Sequence, residues 1–282
     1  MLAPEDEETE ASSSTAQPAI ELRGVTVARA GRPVWRGANV TIEQGEFVAV
    51  LGPNGSGKST LLDLLLGLLD PAEGSVSVLG GSPGRGEQIG YLPQRHAFDQ
   101  TTRIRGVDIV RLGLDGTRFG LPLPWQNAHR KKVDGAIDVV GASAYARRPI
   151  GECSGGEQQR LLIARTLIGS PKLLLLDEPL DSLDLPNQSS VSALVDRIRR
   201  ERHMTVLLVA HDVNPLLPYL DRVIYIAGGR VLAGRPEEVI TSETLSDLYD
   251  SPIEVLHTSD GRLVVVGLPE APAHHHDRHA HP

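Results

Sequence analysis

Residues 46–60 read EFVAVLGPNGSGKST, and the order of events in this stretch decides the fold. An apolar run suited to a strand leads into GPNGSGKS at 52–59, and the apolar stretch that follows, LLDLLLGLL at 61–69, reads as the body of a helix over 58–69. The spacing fits G-x-x-x-x-G-K-[ST], and the strand before it and the helix after it supply the context that motif needs. Gly52, Gly55 and Gly57, with Pro53, Asn54 and Ser56 between them, let backbone N–H groups curl round phosphates, and the helix adds its positive N-terminal end. Lys58 is expected to reach the β- and γ-phosphates. Ser59 is expected to place its hydroxyl on Mg²⁺, and Thr60 to help hold the phosphates.

Working outward, KLLLLDE at 172–178 and TVLLVAH at 205–211 are short apolar runs, each ending in polar residues. Runs of this kind suit strands buried on both faces. A helix over about 186–202 separates them, and strand–helix–strand alternation implies a parallel sheet. Asp177 and Glu178 then sit at the carboxyl end of a strand, where open α/β sheets bind ligands. Asp177 is placed to support Mg²⁺, and Glu178 to orient and polarise an attacking water.

The rest of the chain divides by composition. Residues 1–18 are acidic and Ser-rich without periodicity and read as a disordered tail. Residues 20–51 alternate like strands. Residues 74–95 return to short strands and loops, while 96–150 are polar, Arg-rich and punctuated by Pro122, Pro124 and Pro149. This segment reads as an inserted helical subdomain which, with the helix over 154–168 that follows, extends to about residue 165. RVIYIAGGRVLAG at 222–234 and IEVLHTSDGRLVVVG at 253–267 are hairpins around Gly228-Gly229 and Asp260-Gly261. Residues 268–282 are Pro- and His-rich and read as a flexible tail. The expected architecture is an α/β core with a mainly parallel sheet, an N-terminal antiparallel β subdomain and the helical insertion, spanning residues 19–267.

A net charge of −8 argues against a nucleic-acid partner. The lone Cys153 excludes an internal disulfide and fits a reducing compartment. The richest apolar window, LLDLLLGLL at 61–69, holds an Asp and is only about half of what a membrane span needs.

The stretch CSGGEQQR at 153–160 carries the resemblance. It is similar to the LSGGQxQR signature of the ATP-binding cassette (ABC) ATPases, and it lies some twenty residues before the Asp177-Glu178 pair. Gln94 in YLPQR then resembles the Q-loop, Ser182-Leu183-Asp184 the D-loop, and His211 the switch histidine. The resemblance spans about residues 20–250 and implies a P-loop NTPase core that binds and hydrolyses ATP with Mg²⁺ at a dimer interface. On it, Ser59, Gln94 and Asp177 hold Mg²⁺, and Glu178, His211 and Gln94 serve catalysis. Ser154, Gly155, Gly156 and Asp184 meet nucleotide held by the other subunit. The signature also reads physically: Ser154 and Glu157 have capping-box spacing, so a helix N-terminus there points at an anion.

The sequence departs from the family at three positions. Cys153 and Glu157 replace the signature Leu and Gln. Arg29 stands where an aromatic residue usually stacks on adenine. A guanidinium plane can stack as well; the alternative is an Arg29 that points into water. Trp35 is nearby, but its strand position suggests core packing.

A single cassette without a span resembles the motors of bacterial importers, and YLPQR with Phe98-Asp99 and the post-switch HDVNPLLPYLDRVIYIAGGRV resemble those for zinc, manganese or iron. This implies a cytoplasmic homodimer, attached to the inner membrane face through a separate permease, with a substrate-binding protein. Iron-siderophore import and a soluble ABC ATPase outside transport are the alternatives. In the tail, His274, His275, His276, His279 and His281 are residue types that suit zinc; a solvated His-rich end or a tag remnant is the bland reading.

Overall fold

The computed structural model describes residues 17–84, 88–94, 98–115, 126–259 and 261–267. Nearly all of the acidic stretch 1–18, the whole His-rich tail and the turn residue Asp260 lie outside them.

The strands are β1 (Ile20–Arg29), β2 (Arg32–Ile42), β3 (Phe47–Leu51), β4 (Glu73–Val78), β5 (Ile89–Leu92), β6 (Leu173–Asp177), β7 (Thr205–Val209), β8 (Arg222–Ala227), β9 (Arg230–Gly234), β10 (Glu254–His257) and β11 (Leu263–Val266). The helices are α1 (Lys58–Leu65), α2 (Gly106–Asp115), α3 (Gln126–Val139), α4 (Gly155–Leu167), α5 (Leu185–Arg202), α6 (Pro236–Val239) and α7 (Ser242–Tyr249). The central sheet runs β5-β6-β7-β3-β8-β9, and only β9 is antiparallel to its neighbour. A second, antiparallel sheet runs β2-β1-β4, and β10 pairs with β11 alone.

Every residue of β3, β6 and β7 is buried. Successive side chains point to opposite faces of a strand, and each strand divides between two cores accordingly. Val48, Val50, Leu173, Leu175, Leu207 and Val209 share one core with α1 and the antiparallel sheet, including the fully buried Trp35. Phe47, Ala49, Leu174, Leu176, Val206 and Leu208 share the other with α4, α5 and the helical insertion. Helix α1 therefore sits in the layer between the two sheets, and its N-terminus opens at the carboxyl end of β3.

Two local expectations are corrected. The helix expected over 58–69 ends at Leu65, because Gly67 takes a left-handed φ of 68°; Leu68 beyond it is solvent-exposed. Residues 236–249, not assigned at the sequence level, form α6 and α7. The start signals are present: Pro236 in the first turn of α6, and Thr241, whose hydroxyl accepts from Thr244 N–H and caps α7.

A polar brace ties α5 to the amino ends of β3 and β8, opposite the site. The nearly buried Asp196 of α5 pairs with Arg199 at 2.8 Å and Arg200 at 2.9 Å, and Arg199 reaches Asp221 and the Gly45 carbonyl. Arg222 at the start of β8 pairs with Glu46, which precedes β3, at 3.0 Å.

Leu175 lies at the centre of β6 with no exposed surface. Leu175→Ala is expected to cost about 2–5 kcal/mol of stability, the range for emptying a packed core site. Urea unfolding with an unchanged midpoint would contradict this packing.

Candidate functional site

The loop between β3 and α1 is shaped by its glycines. Gly52 has φ 141°, and a Cβ there would lie 2.1 Å from the Ile226 carbonyl oxygen. Gly57, at φ 106°, caps α1, and a Cβ on it would strike Val34 and Trp35. The antiparallel sheet thus supports the loop from behind. Lys58 donates to the carbonyls of Gly52 at 2.8 Å and Pro53 at 3.1 Å, so its ammonium lies across the loop's concavity. Burial pulls the Lys58 pKa down, while the carboxylates of Glu178, Asp177 and Asp181 act in the opposite direction.

Those carboxylates come from the end of β6. Asp177 is nearly buried, and its Oδ1 has no hydrogen-bond partner among the described residues; the same holds for Ser56 Oγ in the loop. Burial raises the Asp177 pKa, with Lys58 lowering it. Glu178 has a left-handed φ of 51°, a costly conformation for a non-glycine residue, which turns its carboxylate back across the strand end. His211 Nε2 lies 2.8 Å from Glu178 Oε1, and Gln94 Nε2 donates to Glu178 Oε2. Burial raises the Glu178 pKa first; His211 lowers it and Asp181 raises it. The ends of β6 and β7 and the Gln94 loop after β5 therefore converge on one carboxylate.

The signature helix begins with the expected capping box. Ser154 N–H donates to Glu157 Oε2 at 2.8 Å, and Glu157 N–H to Ser154 Oγ at 3.3 Å. Arg148 pairs with the other Glu157 oxygen at 2.7 Å, so the substituted residue is turned onto the cap and its charge is matched. Ser154 and Gly155 are exposed, leaving this N-terminus presented to solvent. Asp184 caps α5, accepting from Asn187 N–H at 2.9 Å.

Arg29 is tethered to α1. Its Nε donates to Thr60 Oγ1 at 3.1 Å, and its guanidinium pairs with Asp63. Ser59 is exposed at the loop rim.

Sequence reasoning passed over two residues here. Asp181 lies 3.7 Å from His211 and closes a cluster with Glu178; it follows Glu178 by three residues, so only the sharp turn at Glu178 brings it back. Gln158 is buried, donates to the Ile150 and Cys153 carbonyls at 3.1 Å each, and accepts from Phe98 N–H at 3.0 Å. It ties the segment after Gln94 to the signature helix. Its neighbour Gln159 in the same motif offers no local cue to distinguish them.

A glycine-shaped loop of the phosphate-binding type on a parallel sheet, acids at the end of β6 and a capped, exposed helix start define an ATP-binding α/β cassette. The ABC transporter family profile matches residues 35–181. The chain is 36% identical over 256 residues to the zinc import ATP-binding protein ZnuC of Brucella abortus, covering 87% of this chain and 80% of the relative. It is 33% identical to the manganese transport system ATP-binding protein MntB of Bacillus subtilis, over 84% and 94% of the two chains. Among solved structures it is similar to a metal-chelate type ABC transporter in an inward-facing conformation, with TM-score 0.74, 28% identity and coverage of 90% and 99%. A dimeric ATP-binding cassette carrying ADP and phosphate after hydrolysis matches with TM-score 0.60, 27% identity and coverage of 77% and 98%. The protein belongs to the ABC transporter ATP-binding family and is an ATPase subunit.

The crowding at Gly52 makes a direct test. Gly52→Ala cannot be accommodated by moving a flexible side chain, since the obstacle is the backbone of β8. We expect at least a tenfold loss of affinity for a fluorescent ATP analogue in equilibrium titration; wild-type binding would contradict the role of the loop.

Proposed function

We propose that this protein is the motor of an importer for a divalent metal ion, zinc or manganese, working as a homodimer beneath a separate permease at the cytoplasmic membrane face. The observation that carries the cargo is likeness to zinc and manganese motors over more than four fifths of this chain. No described helix is long and apolar enough to cross a membrane, which accords with a separate permease. A substrate-binding protein completes such an importer. Import of a chelated metal is the second reading, favoured by likeness to the metal-chelate type transporter.

On this reading the phosphate loop and Lys58 bind the β- and γ-phosphates of ATP. The buried Asp177 Oδ1, unpartnered among the described residues, and the exposed Ser59 suit Mg²⁺, with Gln94 as a further oxygen donor. When bound, Mg²⁺ neutralises charge on the β- and γ-oxygens. Glu178 accepts a proton from the attacking water, and His211, its Nε2 2.8 Å from Glu178 Oε1, keeps that carboxylate aimed. Ser154, Gly155 and Gly156 offer their helix N-terminus to the γ-phosphate held by the partner subunit, and Asp184 faces the same interface. Arg29, its guanidinium edge held by Thr60 and Asp63 of α1 and its side chain half exposed, gives the base a platform.

Glu178→Gln should bind ATP with unchanged affinity and lose most hydrolysis, because the carboxylate matters chiefly in the transition state. ATP should then drive its dimerisation in size-exclusion chromatography. In the wild type, burial raises the Glu178 pKa, so hydrolysis should fall, as pH drops, at a pH above the ordinary glutamate value of about 4.3. A fully active Glu178→Gln protein would remove Glu178 from the chemistry.

The cargo is tested by uptake of radioactive zinc and manganese in cells lacking this subunit. Loss of either, restored by the wild type but not by Glu178→Gln, supports the proposal. Normal uptake of both ions, with loss of chelated iron uptake, would move it to the second reading.

A further inference from the structure

His211 lies on the loop that leaves β7, and its side chain is 39% exposed. A side chain so open to solvent needs its backbone fixed if its ring is to stay on Glu178. The fixing comes from the C-terminal hairpin. Asp212 follows His211 directly, and its Oδ1 accepts from Asn214 N–H at 2.9 Å and from Asn214 Nδ2 at 2.7 Å. The same Nδ2 donates to the Leu263 carbonyl at 3.0 Å, and Asn214 Oδ1 accepts from Leu263 N–H at 2.8 Å. Both donors and the acceptor of the amide are therefore used. Its link to Leu263 is a reciprocal pair, the pattern a neighbouring strand would make with β11.

Packing follows the same line. Val213 and Leu216, on either side of Asn214, are buried in the core against which Val255, Leu263 and Val265 of the hairpin pack. The hairpin thus grips the switch loop by hydrogen bonds, three residues from the histidine, and packs against the same core that buries Val213 and Leu216.

We propose that Asn214 is a positioning residue for ATP hydrolysis, clamping the His211 loop to the Leu263 backbone of the C-terminal hairpin. This rests on the reading of His211 given above. Releasing the clamp leaves the phosphate loop untouched, so it changes the rate of the chemical step and not the affinity for ATP. Displacement of a reacting group by about 1 Å costs roughly a hundredfold in rate, and a loosened loop spends only part of its time displaced.

The test uses the full-length protein with ATP and Mg²⁺, comparing wild type, Asn214→Asp, Asn214→Ala, His211→Ala and the Asn214→Asp/His211→Ala double variant. Asn214→Asp keeps the side chain's shape but sets a carboxylate against Asp212 and the Leu263 carbonyl. We expect kcat to fall about ten- to a hundredfold with less than a twofold change in ATP dissociation constant. In the double variant kcat should equal that of His211→Ala alone, because residues acting as one unit are not additive. Asn214→Ala should match Asn214→Asp, which separates loss of the clamp from repulsion by the new charge. Wild-type kcat in Asn214→Asp, or a fall that multiplies with that of His211→Ala, would overturn the inference. So would weakened ATP binding with a lowered melting temperature, the mark of a purely structural role. His211→Ala with wild-type kcat would overturn the His211 reading and this inference together. A slow His211→Ala beside a wild-type-like Asn214→Asp would overturn this inference alone.

Discussion

Three segments of this chain, β3, β6 and β7, carry apolar side chains at almost every position, so neither of their faces can be left to water. Each must be covered twice, and the chain covers them with α1 and the antiparallel sheet on one side and α4 and α5 on the other. A helix between consecutive buried strands sets them parallel, which collects all their carboxyl ends at one edge. Polar residues there escape the core without leaving it far behind. Asp177, Glu178, His211 and the phosphate loop stand at that edge because the apolar runs that precede them must be buried.

The price of this arrangement is concentrated at the edge itself. Asp177 leaves one carboxylate oxygen without a partner among the described residues, Lys58 is buried, and Glu178 adopts a left-handed backbone. Burial works against the charged forms of all three groups. Features that weaken a fold while gathering opposite charges in one place are expected where a ligand completes the set. On the proposed reading, phosphates offset Lys58 and a divalent cation offsets Asp177, so nucleotide binding relieves costs that the fold carries in its absence.

Much of this was legible in the sequence because the determinants are local. The phosphate loop is a contiguous motif, the capping box spans four residues, and the paired glycines at 228–229 announce their hairpin. Periodicity also separated the strands that are covered twice from those covered once. What was not legible depended on distance in the chain or on backbone angles. Asp181 joins the Glu178 cluster only through the turn at Glu178, which a Glu in that position does not advertise. Arg29 meets Asp63 and Thr60 across thirty-odd residues, so neither stacking nor solvation could be chosen from its neighbours. The last turn expected of α1 failed because an apolar run continues past Gly67, and apolar residues alone do not tell a helix from the turn that ends it.

The C-terminal hairpin shows the same division between local and remote causes. Its strands are evident from alternation about Gly261, and nothing near them in sequence points to the switch loop. Yet β10 and β11 form a sheet of two strands, which is marginal alone in water. Its order must come from what it leans on. The apolar side leans on the core that also buries Val213 and Leu216, and the polar link is the reciprocal pair with Asn214. A contact that orders one partner constrains the other equally, since the coupling energy is shared. The hairpin is therefore held by the same few atoms that hold the loop carrying His211, and a change in the order of either element must be felt by the other.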